Sequence, residues 1–172
     1  LVRNEARNKF IRNLALSLKG NTLLLFNFVE KHGKPLHQQI KHAMDVSVDK
    51  RPIYYVSGEV SGDEREKIRH IVETVDNAII VASYGTFSTG INIKQLHNII
   101  FASPSKSRIR VMQSIGRGLR KSETKTKATL FDIADNLAWK SKNNFTLDHF
   151  AERLKMYNDE KFEYKMYRVH LK

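Results

Sequence analysis

The sequence predicts an α/β domain built on a mainly parallel sheet, and three observations predict it. Five short, largely apolar runs of strand length are separated by loops or by stretches with helical spacing. The first run, residues 22–28, is almost continuously apolar rather than alternating, as expected of a parallel strand covered on both faces. Turn residues at Gly20-Asn21, Ser57-Gly58 and Asp76-Asn77 punctuate the pattern. Strands that alternate with helices pair in parallel through crossovers, and ligands then bind at the carboxyl ends of the strands.

Taken in order, residues 3–18 place Ala6, Phe10, Leu14 and Leu18 at spacings of four, one face of a helix. Residues 22–28 follow as the first strand. Residues 31–48 read as a helix with Pro35 in its first turn and Leu36, Ile40, Ala43 and Met44 on one side. Residues 52–57 form a second strand, broken by Ser57-Gly58. Ser61-Gly62-Asp63-Glu64 has the spacing of a capping box and opens a helix with Ile68, Ile71, Val72 and Val75 inward. Residues 78–83, 98–102 and 128–133 supply the remaining strands. Thr146 is placed to cap a helix with Leu147, Phe150, Leu154 and Tyr157 inward, and residues 162–171 read as a final strand. Trp139 is most simply a core or hinge aromatic. The expected division is a lobe over 1–140 and a helix-and-strand extension over 141–172 packed on it.

The 172 residues suffice for one full core and are short for two. The first residue, Leu1, is not an initiator, so the chain is expected to be a piece of a longer polypeptide. Lys and Arg outnumber Asp and Glu by 30 to 18, a formal net charge of +12, and residues 103–142 hold ten basic against three acidic residues. A polyanionic partner follows, nucleic acid ahead of a membrane surface. The absence of cysteine excludes disulfides and thiolate metal sites, and the seven scattered histidines have no metal-pair spacing. No apolar run approaches the roughly 20 residues a bilayer requires, and no signal peptide pattern opens the chain, so a cytoplasmic protein without a membrane partner is expected.

Fixed-spacing chemistry is concentrated at residues 113–121, QSIGRGLRK. On a helix Gln113 and Arg117 share a face, while Val111, Ile115 and Leu119 form a separate apolar stripe. Gly116 and Gly118 would each cost about 1 kcal/mol relative to Ala within a helix, so the helix should stop near them, with Arg120 projecting from the turn. Guanidinium groups present planar forks of donors matched to phosphate oxygens. The loop after the third strand, residues 83–92, is rich in hydroxyls and glycines, which offers amide and hydroxyl donors to phosphates.

These stretches resemble the signatures of superfamily 2 helicases and translocases. Residues 113–120 resemble motif VI, Gln-x-x-Gly-Arg-x-x-Arg, whose arginines reach the γ-phosphate of ATP. Residues 81–92 resemble motif V: Ser83 matches the hydroxyl that touches the nucleic-acid backbone, with Tyr84 beside it, and Gly90 matches the glycine facing the nucleotide. Asn92 stands where the family usually has Asp, which keeps an acceptor but removes a charge. Residues 22–28 look like motif IV, and Ser57-Gly58 with Arg65 look like the element the family places next. The four occur in the family's order, and with residues 132–136, DIADN, they are most similar to phage-encoded recombination and repair members.

The resemblance implies the second, C-terminal RecA-like lobe of an ATP-dependent DNA helicase. Gln113, Arg117 and Arg120 would be catalytic, Gly90 and Asn92 nucleotide-binding, and Asn27, Ser57, Gly58, Ser83 and Tyr84 nucleic-acid-binding. The substrates implied are single-stranded and branched DNA, with RNA in R-loops. No Gly-x-x-x-x-Gly-Lys-Ser/Thr loop or Asp-Glu-x-His strand end is present. ATP and Mg2+ should therefore be held mainly by an N-terminal RecA-like lobe of the same polypeptide, and this chain alone should be inactive. Asp132 and Asp135 read as capping or lobe-packing residues. A phage-encoded protein would work in the host cytoplasm. Two other readings stay open: a passive nucleic-acid-binding module, which leaves the ordered loops unexplained, and a doubly wound metabolite enzyme, whose glycine fingerprint is absent.

Overall fold

In a computed structural model, residues 1–88, 96–103, 128–137 and 144–171 are described. Among them five strands, β1 (Thr22–Phe26), β2 (Ile53–Val56), β3 (Ile79–Ser83), β4 (Asn98–Phe101) and β5 (Thr129–Asp132), pair in parallel in the order β2-β3-β1-β4-β5. The helices are α1 (Glu5–Ser17), α2 (Lys34–Asp45), α3 (Gly62–Thr74), α4 (Tyr84–Ser88) and α5 (Phe145–Asp159). Successive strand residues point to opposite faces, and both faces are covered. Leu24, Phe26, Val81 and Ile100 pack with Ile11 and Ala15 of α1 and with Leu36 and Ile40 of α2. Leu23, Leu25, Ile80 and Phe101 pack with Val72 of α3, Tyr84 of α4 and Tyr157 of α5. The α/β class with a parallel sheet is as the sequence predicts, and so is the capping role of Ser61, whose Oγ accepts from the Glu64 amide at 3.2 Å.

Several details differ from the sequence reading. The buried stripe of α1 is Arg7, Ile11 and Ala15, with Phe10, Leu14 and Leu18 only partly buried beside it. The cause is an ion pair: Arg7 Nε donates to Asp135 Oδ1 at 2.7 Å inside the protein, and a count of apolar spacings does not register it. Ile71 of α3 is exposed, because Ile68, Val72 and Val75 turn the inner face away from it. The cap of α5 is Asn144, whose side chain accepts from the Thr146 amide at 3.3 Å, rather than Thr146. Residues 162–171 form no strand: beyond the partly buried Phe162 they are exposed, and among the described residues no neighbouring strand takes their amides. Trp139 lies outside the described residues.

β1 also ends earlier than expected, at Phe26. The Phe28 carbonyl accepts from the amides of both His32, at 3.1 Å, and Gly33, at 2.9 Å, closing one turn of π-helix over Val29–Gly33 before α2 begins. That turn is packed onto the strand it leaves: a Cβ on Gly33 would stand 2.3 Å from the Phe26 ring. Overpacking of this kind costs about 1–3 kcal/mol, so Gly33→Ala should lower the unfolding free energy measured in urea by that amount. Gly58→Ala, where a Cβ meets nothing within 4 Å, is the control and should be near neutral.

The amino ends of the strands are tied by polar side chains. The Arg51 guanidinium donates to the carbonyls of Ala15 at 3.1 Å, Leu18 at 2.6 Å, Gly20 at 3.0 Å and Asn77 at 3.0 Å. Asn21 accepts from the Ala78 amide at 2.8 Å and donates to the Val75 carbonyl at 2.7 Å. Gly20 turns the chain there with φ +85°, a left-handed conformation that favours glycine. These bonds close the amino end of the sheet; in open parallel sheets ligands bind at the opposite, carboxyl end.

Candidate functional site

Because all five strands are parallel, their carboxyl ends share one edge. Across it lie Ser57 after β2, Ser83 ending β3, Asn27 after β1, Ser103 beyond β4 and Asp132 ending β5. The structure thus brings Asn27, Ser57, Gly58, Ser83 and Tyr84 to one side of the molecule. They are not equally accessible. Asn27 is half-buried and Gly58 exposed, whereas Ser57, Ser83 and Tyr84 are buried.

The buried ones shape the loops. Ser57 Oγ accepts from the Glu59 amide at 3.3 Å, and its carbonyl accepts from Val60 at 3.1 Å, a tight turn that holds Gly58 outward. Ser83 Oγ lies 2.7 Å from Thr86 Oγ1 and accepts from the Thr86 amide at 3.3 Å, so it caps the short helix α4. The Tyr84 ring packs at 5.7 Å from Phe101 in the core. Its side chain is therefore turned away from any strand crossing the edge. Phe28, by contrast, is 53% exposed directly beside Asn27.

Residues that spacing did not single out complete the edge. Lys34 pairs with Glu30 in its own turn and with Glu59 at 3.2 Å in the loop after β2, which bridges the exits of β1 and β2. The hydrogen bonds that the Lys34 ammonium donates to Glu30 and then Glu59 raise it above its ordinary pKa. His32, inside the π-turn, has Nδ1 at 2.9 Å from Ser103 Oγ, and the Asn27 amide donates to that same oxygen at 3.3 Å. Only the shift from strand to wide turn, decided by backbone hydrogen bonds, aligns these three.

Asp132 and Asp135 are packing residues, as their sequence context indicates. Arg153 grips Asp132 with two bonds, Nε to Oδ2 at 2.6 Å and Nη2 to Oδ1 at 2.8 Å, and the Tyr157 hydroxyl donates to Oδ2 at 2.7 Å. The Tyr157 phenol is pushed far above its ordinary range, chiefly by burial and then by the neighbouring carboxylate. With both Asp132 oxygens engaged and Asp135 facing Arg7, neither carboxylate is placed to hold a metal ion. Among the described residues no group of three His, Asp or Glu side chains could hold one, and no helix is long and apolar enough to cross a membrane. Gln113, Arg117, Arg120, Gly90 and Asn92 lie outside the described residues. The described chain before them stops at Ser88, ending α4, and at Ser103, just beyond β4 at this edge.

Residues 6–122 match the family described as the helicase conserved C-terminal domain. The chain belongs to this family. A curated relative, the ATP-dependent DNA helicase UvsW of Enterobacteria phage T4, is 41% identical over 178 residues, covering 96% of this chain and 34% of the relative. This helicase domain thus spans about a third of that relative's length. The crystal structure of T4 UvsW superposes with a TM-score of 0.76 at 39% identity, over 98% of this chain and 35% of that one. The C-terminal part of the Fun30 ATPase domain superposes with a TM-score of 0.57 at 13% identity, over 92% and 55%, a likeness of fold alone. The helicase C-terminal lobe is RecA-like, with the parallel sheet and two-sided helical cover described above.

Proposed function

We propose that the chain is the second motor lobe of an ATP-dependent DNA helicase or translocase that acts on branched nucleic acids in recombination, replication and repair. The observation that carries this reading is the order of loops along one sheet edge. The turns bearing Asn27 and Gly58, the hydroxyl-capped start of α4 at Ser83, and the exit toward Gln113, Arg117 and Arg120 all leave from the same side. The Asn27 side chain and the Gly58 amide would hold backbone phosphates, with Ser57, Ser83 and Tyr84 shaping the loops that present them. Sequence is then not read. Gln113, Arg117 and Arg120 would face the γ-phosphate, with Gly90 and Asn92 nearby. ATP supplies the transferable phosphoryl group; the arginines stabilise the charge developing on it, and cleft closure moves one lobe along the strand.

Since the sequence holds no phosphate loop or Asp-Glu-x-His strand end, and Asp132 and Asp135 are engaged in packing, Mg2+ and most of the ATP contacts are assigned to an N-terminal RecA-like lobe of the same polypeptide. We divide the chain at residue 140, with α5 and the tail as an extension seated on the lobe through Arg153 and Asp132. The work would take place in the cytoplasm, that of the host if the gene is viral, on forks, junctions, D-loops and R-loops.

The purified lobe tests the nucleic-acid half of this reading. With a net charge of +12, it should hold single-stranded and forked DNA weakly, with similar affinity for unrelated sequences. Each neutralised phosphate contributes about −0.7 to −0.9 to the slope of log K against log salt, so fluorescence anisotropy across a salt series should give a slope of several units. A flat dependence, or strong preference for one sequence, would contradict it.

A further inference from the structure

One buried polar group is left unused by the reading above. His32 is fully buried, and its ring meets Ser103, also buried, through the 2.9 Å contact between Nδ1 and Oγ. The same oxygen takes the Asn27 amide at 3.3 Å. One hydroxyl beyond β4 therefore joins the first residue after β1 to the turn that follows it. β1 and β4 are neighbours, yet the chain leaves β1 toward β2 on one side of the sheet and β4 toward β5 on the other. The link spans the point where these connections diverge, which is where open parallel sheets bind their ligands.

Two features mark the contact as built rather than incidental. An apolar pair would close the same seam without desolvating a hydroxyl and an imidazole, which costs free energy unless both are hydrogen-bonded in fixed geometry. The π-turn is also specified by its neighbours: Gly33, next to His32, has no room for a side chain against Phe26, and the wide hydrogen bond from Gly33 to Phe28 holds the turn open. Single π-turns of this kind recur at functional sites.

We infer that His32, acting through Ser103, is a positioning residue that couples nucleic acid held at Asn27 to the exit of β4 at Ser103, and through it to ATP turnover. The inference rests on the motor reading. A strand drawn against Asn27 shifts an oxygen shared with His32, and Ser103 at the exit of β4 shifts with it. Neither His32 nor Ser103 touches phosphate or nucleotide in this scheme.

The test is made in the complete polypeptide, with ATPase measured with and without single-stranded DNA, DNA affinity by anisotropy, and melting temperature as a check on folding. His32→Leu fills the site but cannot bond Ser103. His32→Asn places an amide near the position of Nδ1. Ser103→Ala removes the shared oxygen at little steric risk, and Ser103→Thr restores it. Couplings between sites are commonly about fivefold or more, so His32→Leu and Ser103→Ala should each cut the ratio of DNA-stimulated to basal ATPase by about five- to tenfold. Basal turnover and DNA affinity should stay within about twofold, and the double variant should be no worse than either single one. The conservative changes His32→Asn and Ser103→Thr should keep most of the ratio. If the wild type is stimulated by DNA and Ser103→Ala is stimulated equally, the inference fails while the motor reading stands. Loss of DNA affinity in step with loss of stimulation would make the link part of the grip and overturn the coupling role. A wild type without DNA stimulation would remove the motor reading and this inference together.

Discussion

On the motor reading proposed above, Arg120→Ala, made in the complete polypeptide, should abolish DNA-stimulated ATP hydrolysis while leaving DNA affinity within a few fold. An arginine that reaches the transferring phosphoryl group is worth on the order of 10³ to 10⁵ in turnover, because it meets charge that develops only in the transition state. One phosphate contact among many on a lobe with a formal charge of +12 is worth far less. Arg120→Lys should rescue little, since lysine keeps the charge and loses the planar fork, and Arg117→Ala should fall in the same direction. Steady-state ATPase with saturating single-stranded DNA, paired with anisotropy on the same preparation, separates the possibilities. Near-normal hydrolysis with lost DNA affinity would make Arg120 a backbone clamp, and the passive binding module would then replace the motor lobe.

The largest effect on stability is expected at Asp132. Its carboxylate accepts two bonds from the buried Arg153 guanidinium and one from Tyr157, so Asp132→Ala leaves a charge 1% exposed to water without its counter-ion. Removing one partner of a buried pair costs about 3–5 kcal/mol, a large fraction of what holds a domain of this size folded. Chemical denaturation should report the loss. Replacing both partners, Asp132→Leu with Arg153→Met, should return much of it, because neither charge is then stranded. The pH dependence has a definite sign. Tyr157 binds its proton more tightly folded than unfolded, with an ordinary value of 10.0, so its contribution is fully present below pH 10 and is lost as pH rises beyond it. Tyr157→Phe should flatten that alkaline loss.

Some features are legible in the sequence because they depend on short-range periodicity. The apolar runs at residues 23–26 and 79–82 pack on both faces of the sheet as a parallel strand requires, and Ser61 caps α3 through the local spacing that marks it. The expected C-terminal strand does not form, because residues 162–171 carry strand-like residue types with no described partner strand beside them. Among the candidate site residues, local chemistry locates the loops but does not separate the accessible Asn27 and Gly58 from the buried Ser57, Ser83 and Tyr84. A hydroxyl after a strand has the same local signature whether it caps a turn or faces solvent.

By itself the sequence determined the fold class, the parallel order of loops and the helicase signatures, since each is written in residues within a few positions of one another. The tertiary structure alone decided which residues those loops share. Arg7 with Asp135, Asp132 with Arg153, Arg51 with carbonyls of the α1 end, and His32 with Ser103 lie 128, 21, up to 36 and 71 positions apart. No periodicity connects such pairs. They are fixed by strand order and register, which bring distant strand ends to one edge, and by the cost of leaving a buried charge or hydrogen-bonding group without a partner.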